Sequence, residues 1–280
     1  MNEWFFDNSG FAKIKELNDA FKAKAISYAN SELSSKYTNY SPWMSNTDNL
    51  KHMEPIFKLD GLVLNDRDEV GILEKFYLEG ELERKLKFGN ISLQEMKLLE
   101  SAIEIIDNSS NDIKRLFSEV VKHIVPMNTD SGDFQKIGNG FSSHLAKGCL
   151  FLSTPKMRSD NELQLAINIA HEVGHQCLYI YQTADKIIKE GINKPIFSQV
   201  RKTDRPAIQS FHATVALAFM VRFLGQLKDE RLTATDYYKK MLTTLESDFK
   251  NSFSTYDEIT FSEVGHLLFE DLKNYANSIR

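Results

Sequence analysis

Cysteine is nearly absent from this chain: Cys149 and Cys177 are the two among 280 residues. So few thiols exclude a disulfide framework and fit a reducing compartment, so a cytoplasmic protein is expected. Missing too is any run approaching ~18 uninterrupted apolar residues, so no membrane span is expected. The start, Met1-Asn2-Glu3-Trp4-Phe5-Phe6-Asp7, lacks the basic region and long apolar core of a signal peptide. Nor is there an excess of positive charge. A formal net charge of −5 offers no general attraction to nucleic acid or to an anionic membrane. Repeats and low-complexity tracts are also lacking. What remains, 42% hydrophobic and 26% charged residues, is the balance of a soluble globular protein long enough to bury one substantial core.

The stretch that carries chemistry is His171-Glu172-Val173-Gly174-His175, an H-E-x-x-H motif inside a long apolar segment. Ser159-Asp160-Asn161-Glu162 has the pattern of a capping box, and Leu163, Ile167, Val173 and Leu178 follow it, so a buried helix is predicted. On a helix, positions i and i+4 share a face, and both imidazoles can reach one metal ion. Glu172, rotated about 100° from His171, stands beside that ion, where its carboxylate can handle a proton. Gln164, Asn168, His171 and His175 form a single polar stripe along the helix. Leaving buried polar groups unpaired costs ~1–3 kcal/mol each, so the stripe should line a cleft or hold an ion. The plain alternative is a packed helix whose histidines satisfy their neighbours.

A metal needs further ligands. Leu178 and Tyr181 stand where a metzincin extension requires Gly and His, which excludes that family. Glu190, next to the loop-like Gly191-Ile192-Asn193-Lys194-Pro195, lies too early to serve as a peptidase's downstream glutamate. The best candidate is His212, on a second apolar helix that Asp204 or Arg205 can cap and Pro206 can begin. An isolated histidine there also fits a hydrogen-bonded core residue, but the neighbouring motif favours a ligand. His266, in Ser262-Glu263-Val264-Gly265-His266, is held in reserve. Arg205 precedes His212 by about two helical turns, so its guanidinium would project ~10 Å along the same face and grip a carboxylate of a small acid at the metal. Arg201 is a second candidate for that role; a surface pair with Asp204 is the alternative for Arg205. Cys177 points about 200° away from His175 and is set aside as a ligand, and Cys149 reads as core.

The order of these elements resembles the H-E-x-x-H peptide beta-hydroxylases, iron enzymes dependent on 2-oxoglutarate that occur with ribosomally made, modified peptides. The likeness covers about residues 115 to 225. It is carried by Gly148-Cys149-Leu150-Phe151-Leu152-Ser153, by His171-Glu172-Val173-Gly174-His175-Gln176, and by Arg205-Pro206 followed by His212 and a long apolar helix. The resemblance implies an oxidoreductase of the dioxygenase type, with Fe(II) on His171, His175 and His212, 2-oxoglutarate as co-substrate and hydroxylation of a peptide side chain at its beta carbon. Iron oxygenases commonly use two histidines and a carboxylate, which keeps Glu172 open as a ligand instead. The competing enzyme reading is a zinc metallopeptidase with Glu172 as general base, and a third reading is a non-catalytic helical peptide-binding protein. Oligomeric state is not legible.

Along the rest of the chain, Phe11 to Leu33, Leu50 to Phe57 and Glu69 to Phe88 show helical character, and Ser92 with Glu95 opens a helix to about Ile106. Asp107 to Asp112 is a break in composition. Val120 to Val125 and Gly148 to Ser153 read as paired short strands against the motif helix, with Asn128 to Gly140 as a flexible loop. Ser142, Ser143 and His144 either reach the active site or simply enter a strand. Thr183 to Thr203 reads as a lid or substrate loop. The expected architecture is mainly α with a small β-sheet: a helical N-terminal lobe (1–115) and a metal-binding catalytic lobe (116–280) in which two buried helices carry the ligands.

Overall fold

The computed structural model describes residues 5–74, 86–109, 111–129, 140–153 and 161–279. The protein is mainly α with small sheets. Its principal helices are α1 (Asn8–Leu33), α2 (Leu93–Ser109), α3 (Asn111–Val120), α4 (Glu162–Tyr181), α5 (Ala207–Gly225), α6 (Asp236–Asn251) and α7 (Glu263–Ser278). Contacts sort the chain into two compact units that interleave in sequence: Met1–Asn18, Ile106–Glu119 and Val173–Arg280 form one, Asp19–Ile105 and Val120–Glu172 the other. Helices α1, α2 and α4 each run through a boundary between these units.

The second unit is built on a four-stranded sheet of β1 (Leu86–Phe88), β2 (His123–Thr129), β3 (Gly140–Ser142) and β4 (Cys149–Ser153), in the order β1-β2-β4-β3. The two predicted strands do pair, as parallel neighbours with His123 opposite Cys149 and Met127 opposite Ser153. Val120 ends helix α3 instead of opening the strand. A second correction concerns Glu69 to Phe88. Residues Arg67–Val70 and Gly71–Leu73 form short helical turns, but Leu86–Phe88 is a strand, and 75–85 lie outside the described residues. Most of the expected Asn128 to Gly140 loop is also outside them, while Asn128 and Thr129 belong to β2 and Gly140 to β3. Phe88 and Phe151 meet edge to face at 5.4 Å in a core shared with Trp43, Met44, Val125 and Met127. Helix α2 starts where its capping box predicts. Glu95 Oε2 accepts from the Ser92 N–H at 2.8 Å and from the Ser92 hydroxyl at 2.7 Å, and Ser92 Oγ accepts from Glu95 N–H at 3.3 Å.

His123 has a structural role. A carbonyl can only accept, so the 2.7 Å contact with Gly61 O places the proton on Nδ1. The ring stacks on Trp43 at 5.5 Å. Burial is the main cause that lowers its pKa to about 4.

The first unit is dominated by α5, apolar on every side and buried along nearly its whole length. It is the one described helix whose length and composition match a membrane span, and 78% of it is buried by protein. Phe5 packs edge-on between Tyr181 of α4 and Phe219 of α5, at 5.4 and 5.6 Å. Arg222, near the end of α5, donates to Asp112 Oδ2 from Nε at 2.8 Å and from Nη2 at 2.6 Å. Helices α4 and α5 approach closely at Gly174. A Cβ there would stand 3.1 Å from the Phe219 ring and 3.3 Å from Ala216 Cα. The residues between them are partly strand, contrary to the expected loop: β5 (Ile188–Glu190) pairs with β8 (Thr260–Phe261), and β6 (Pro195–Ser198) with β7 (Thr203–Pro206). The glycine of the Glu263-Val264-Gly265-His266 echo has a packing role. Ser262 caps α7, and a Cβ on Gly265 would collide with the Ile187 carbonyl oxygen.

Two outcomes are predicted. Gly174→Val overpacks the α4–α5 contact and lowers unfolding free energy by about 2–3 kcal/mol in urea titrations. His123 protonates more readily unfolded than folded, so stability present above its unfolded pKa near ~6.5 is lost as pH falls toward 4, by up to about 3 kcal/mol. Replacing His123 with Phe should flatten that slope in pH-dependent melting.

Candidate metal centre

Helix α4 delivers the motif. Asn161 is its capping residue, accepting the Gln164 N–H on Oδ1 at 2.8 Å; Ser159 and Asp160, assigned to the cap from sequence, lie outside the described residues. The polar stripe begins as a chain, with Gln164 Nε2 donating to Asn168 Oδ1 at 2.9 Å. One turn on, His171, Glu172 and His175 each place a ligand-capable atom within 4.8 Å of the others. This is the i, i+1, i+4 arrangement expected of a helix. Both histidines are partly exposed while Glu172 is buried, at 3% exposure. Its Oε1 lies 4.0 Å from His171 Nε2. Its Oε2 accepts a hydrogen bond from the Ser142 hydroxyl at 2.8 Å. Of the three polar residues leading out of β3, Ser142 reaches the carboxylate, Ser143 caps a short turn by accepting from Leu145 N–H, and His144 is exposed.

His212 projects from α5 toward His175, with the two Nδ1 atoms 3.4 Å apart. On its other side, His212 Nε2 lies 3.2 Å from Gln182 Oε1. An amide oxygen only accepts, so Nε2 carries the proton and Nδ1 keeps its lone pair. Two nitrogens each ~2.1 Å from a tetrahedral ion stand ~3.4 Å apart, so this pair suits joint coordination of a cation. His212, expected as the third ligand, meets His175 but is not part of the His171–Glu172–His175 group, which comprises those three residues among the described ones. Its ring also rests against Tyr179, at 4.7 Å between centroids. Neither Tyr179 nor Gln182 was singled out from sequence. Their offsets of four and seven residues from His175 were the available signal, since both positions fall on the motif face.

The arginines are placed differently from expectation. Helix α5 starts at Ala207, with Pro206 as its capping residue and no side-chain cap, so neither Asp204 nor Arg205 caps it. Arg205 sits on strand β7 opposite Ile196, and the two-turn helical offset to His212 does not apply. Proline lacks the N–H that would continue a helix backwards, and the residue before it is driven to extended backbone. Arg205 is nonetheless half-buried, and burial, followed by repulsion from Arg201, lowers its pKa below the usual guanidinium value. Its guanidinium makes no hydrogen bond or ion pair among the described residues.

The remaining candidates also lie outside the group. His266 is exposed on α7, Glu190 is exposed on β5, and both cysteines are buried with thiol pKa values pushed up by burial. His175→Ala is predicted to abolish Fe(II) or Zn(II) uptake in equilibrium dialysis. Gln182→Leu should weaken it by roughly 10- to 100-fold, the usual cost of losing the group that orients a ligating histidine. In comparison with known proteins, no family model and no curated sequence matches this chain.

Proposed function

We propose that the protein is a non-haem Fe(II) and 2-oxoglutarate-dependent oxygenase that hydroxylates the beta carbon of a side chain in a ribosomally made peptide. His171, His175 and His212 would hold the ion, and Arg205, with Arg201 beside it, would take a carboxylate of the co-substrate. When bound, such a centre supplies oxidative cleavage of 2-oxoglutarate to succinate and insertion of oxygen into a C–H bond. The observation that carries this reading over a peptidase is the half-buried guanidinium of Arg205, pressed by a second arginine and without an anionic partner among the described residues. A dicarboxylate meets that demand with charge-assisted hydrogen bonds, which a hydrolytic zinc site does not require. Three imidazoles suit iron and zinc alike, so the donor set supports a metal enzyme without choosing the ion. The fold of α5 and α4 supplies the positioning: Gly174 lets the helices close, and Gln182 keeps the His212 lone pair on Nδ1.

The zinc metallopeptidase reading draws on one further observation, the buried Glu172 carboxylate near both motif histidines. There Glu172 would take a proton from a water on the ion.

The deciding experiment is anaerobic addition of 2-oxoglutarate to the Fe(II)-loaded protein, followed by oxygen and measurement of succinate. A visible charge-transfer band and succinate release are expected; peptide cleavage with zinc and indifference to 2-oxoglutarate would select the peptidase. Arg205→Ala should raise the 2-oxoglutarate dissociation constant by about 10- to 100-fold, consistent with ~1.5–3 kcal/mol for hydrogen bonds to a charged group, and spare metal loading.

A further inference from the structure

We infer that strand β3 is a seat for the Glu172 carboxylate, with Ser142 as a positioning residue that holds Oε2 and leaves Oε1 turned toward the motif histidines. The inference rests on the metal-centre reading above and concerns how its acidic residue is presented.

A carboxyl group buried as deeply as that of Glu172 needs a hydrogen-bond partner. The Ser142 hydroxyl supplies one, donating to Oε2 at 2.8 Å. Two residues earlier on the strand, and therefore on the same side of it, is Gly140. A Cβ there would lie 3.4 Å from Glu172 Oε1 and 2.6 Å from the Phe151 carbonyl oxygen. The Phe151 carbonyl is what demands glycine at 140, and this close strand pairing brings β3 against one carboxylate oxygen while serine grips the other. The seat has a fixed register. Antiparallel pairing sets Gly140, Phe141 and Ser142 opposite Leu152, Phe151 and Leu150, and Phe141 stacks on Phe151 at 4.4 Å and 9°. A slip of one residue would turn Phe141 toward Glu172 in place of Ser142.

This placement assigns Glu172 a role. Its Oε1 is 4.0 Å from His171 Nε2, and its Oε2 is engaged by Ser142. Held there by Ser142, it acts on a molecule bound to the ion as a hydrogen-bond and proton acceptor, and it is not itself a ligand.

Co(II) substitution tests this without turnover. Ser142→Ala should still bind one Co(II) per chain, losing less than the roughly 10- to 100-fold that removal of a ligand's own partner costs. Its visible bands should move toward those of Glu172→Gln, and Ser142→Thr, which keeps the hydroxyl, should restore them. If Ala disturbs folding, Thr and Val at 142 are near-isosteric and carry the same contrast. Bands unmoved in the Ala or Val variant overturn the seat and leave the metal reading standing. Loss of Co(II) binding in a folded Ser142→Ala protein also overturns it, by making Glu172 a ligand. A wild-type chain that takes up no Co(II) overturns both.

Discussion

The close approach of α4 and α5 is the constraint on which the candidate centre depends. Gly174, one residue before the second motif histidine, removes the Cβ that would strike Phe219 and Ala216. With the helices drawn together, His212 comes within 3.4 Å of His175. A larger side chain at 174 would push the two helices, and with them the two imidazole rings, apart. The apolar character of α5 follows from the same demand, because a helix packed this closely must be buried on most sides.

Around the histidines stand groups that decide which atom does what. Gln182 assigns the proton of His212 to Nε2, and Ser142 occupies one oxygen of Glu172. Each is a single hydrogen bond of modest worth, on the order of 1 kcal/mol. Their consequence is larger than their energy, since a ligand with the wrong tautomer offers an N–H to the ion in place of a lone pair. Arg205 has another character. It is half-buried, repelled by Arg201 and without an anion among the described residues, a cost that a bound carboxylate would relieve.

Much of the local structure was legible because its causes are local. The Ser92–Glu95 capping box starts α2, and the motif helix runs as its apolar spacing predicts. Errors arose where the chain's neighbours in space, not in sequence, set its conformation. Leu86–Phe88 pairs with Met127–Thr129, which overrides its helical appearance. The spacing of Arg205 from His212 is helical and predicts a shared helix face. Its pairing with Ile196 and the proline that follows hold it extended instead.

By itself, the sequence determined the mainly helical class and the motif's presentation on one helical face, because a 3.6-residue period places i and i+4 together whatever surrounds them. It also marked His212 as a polar residue in an apolar helix. Only the tertiary structure decided that this histidine meets His175, that Gln182 orients it and that β3 cradles Glu172. Those contacts join residues up to 37 positions apart, and their distances follow from packing between elements, which no spacing within one element encodes.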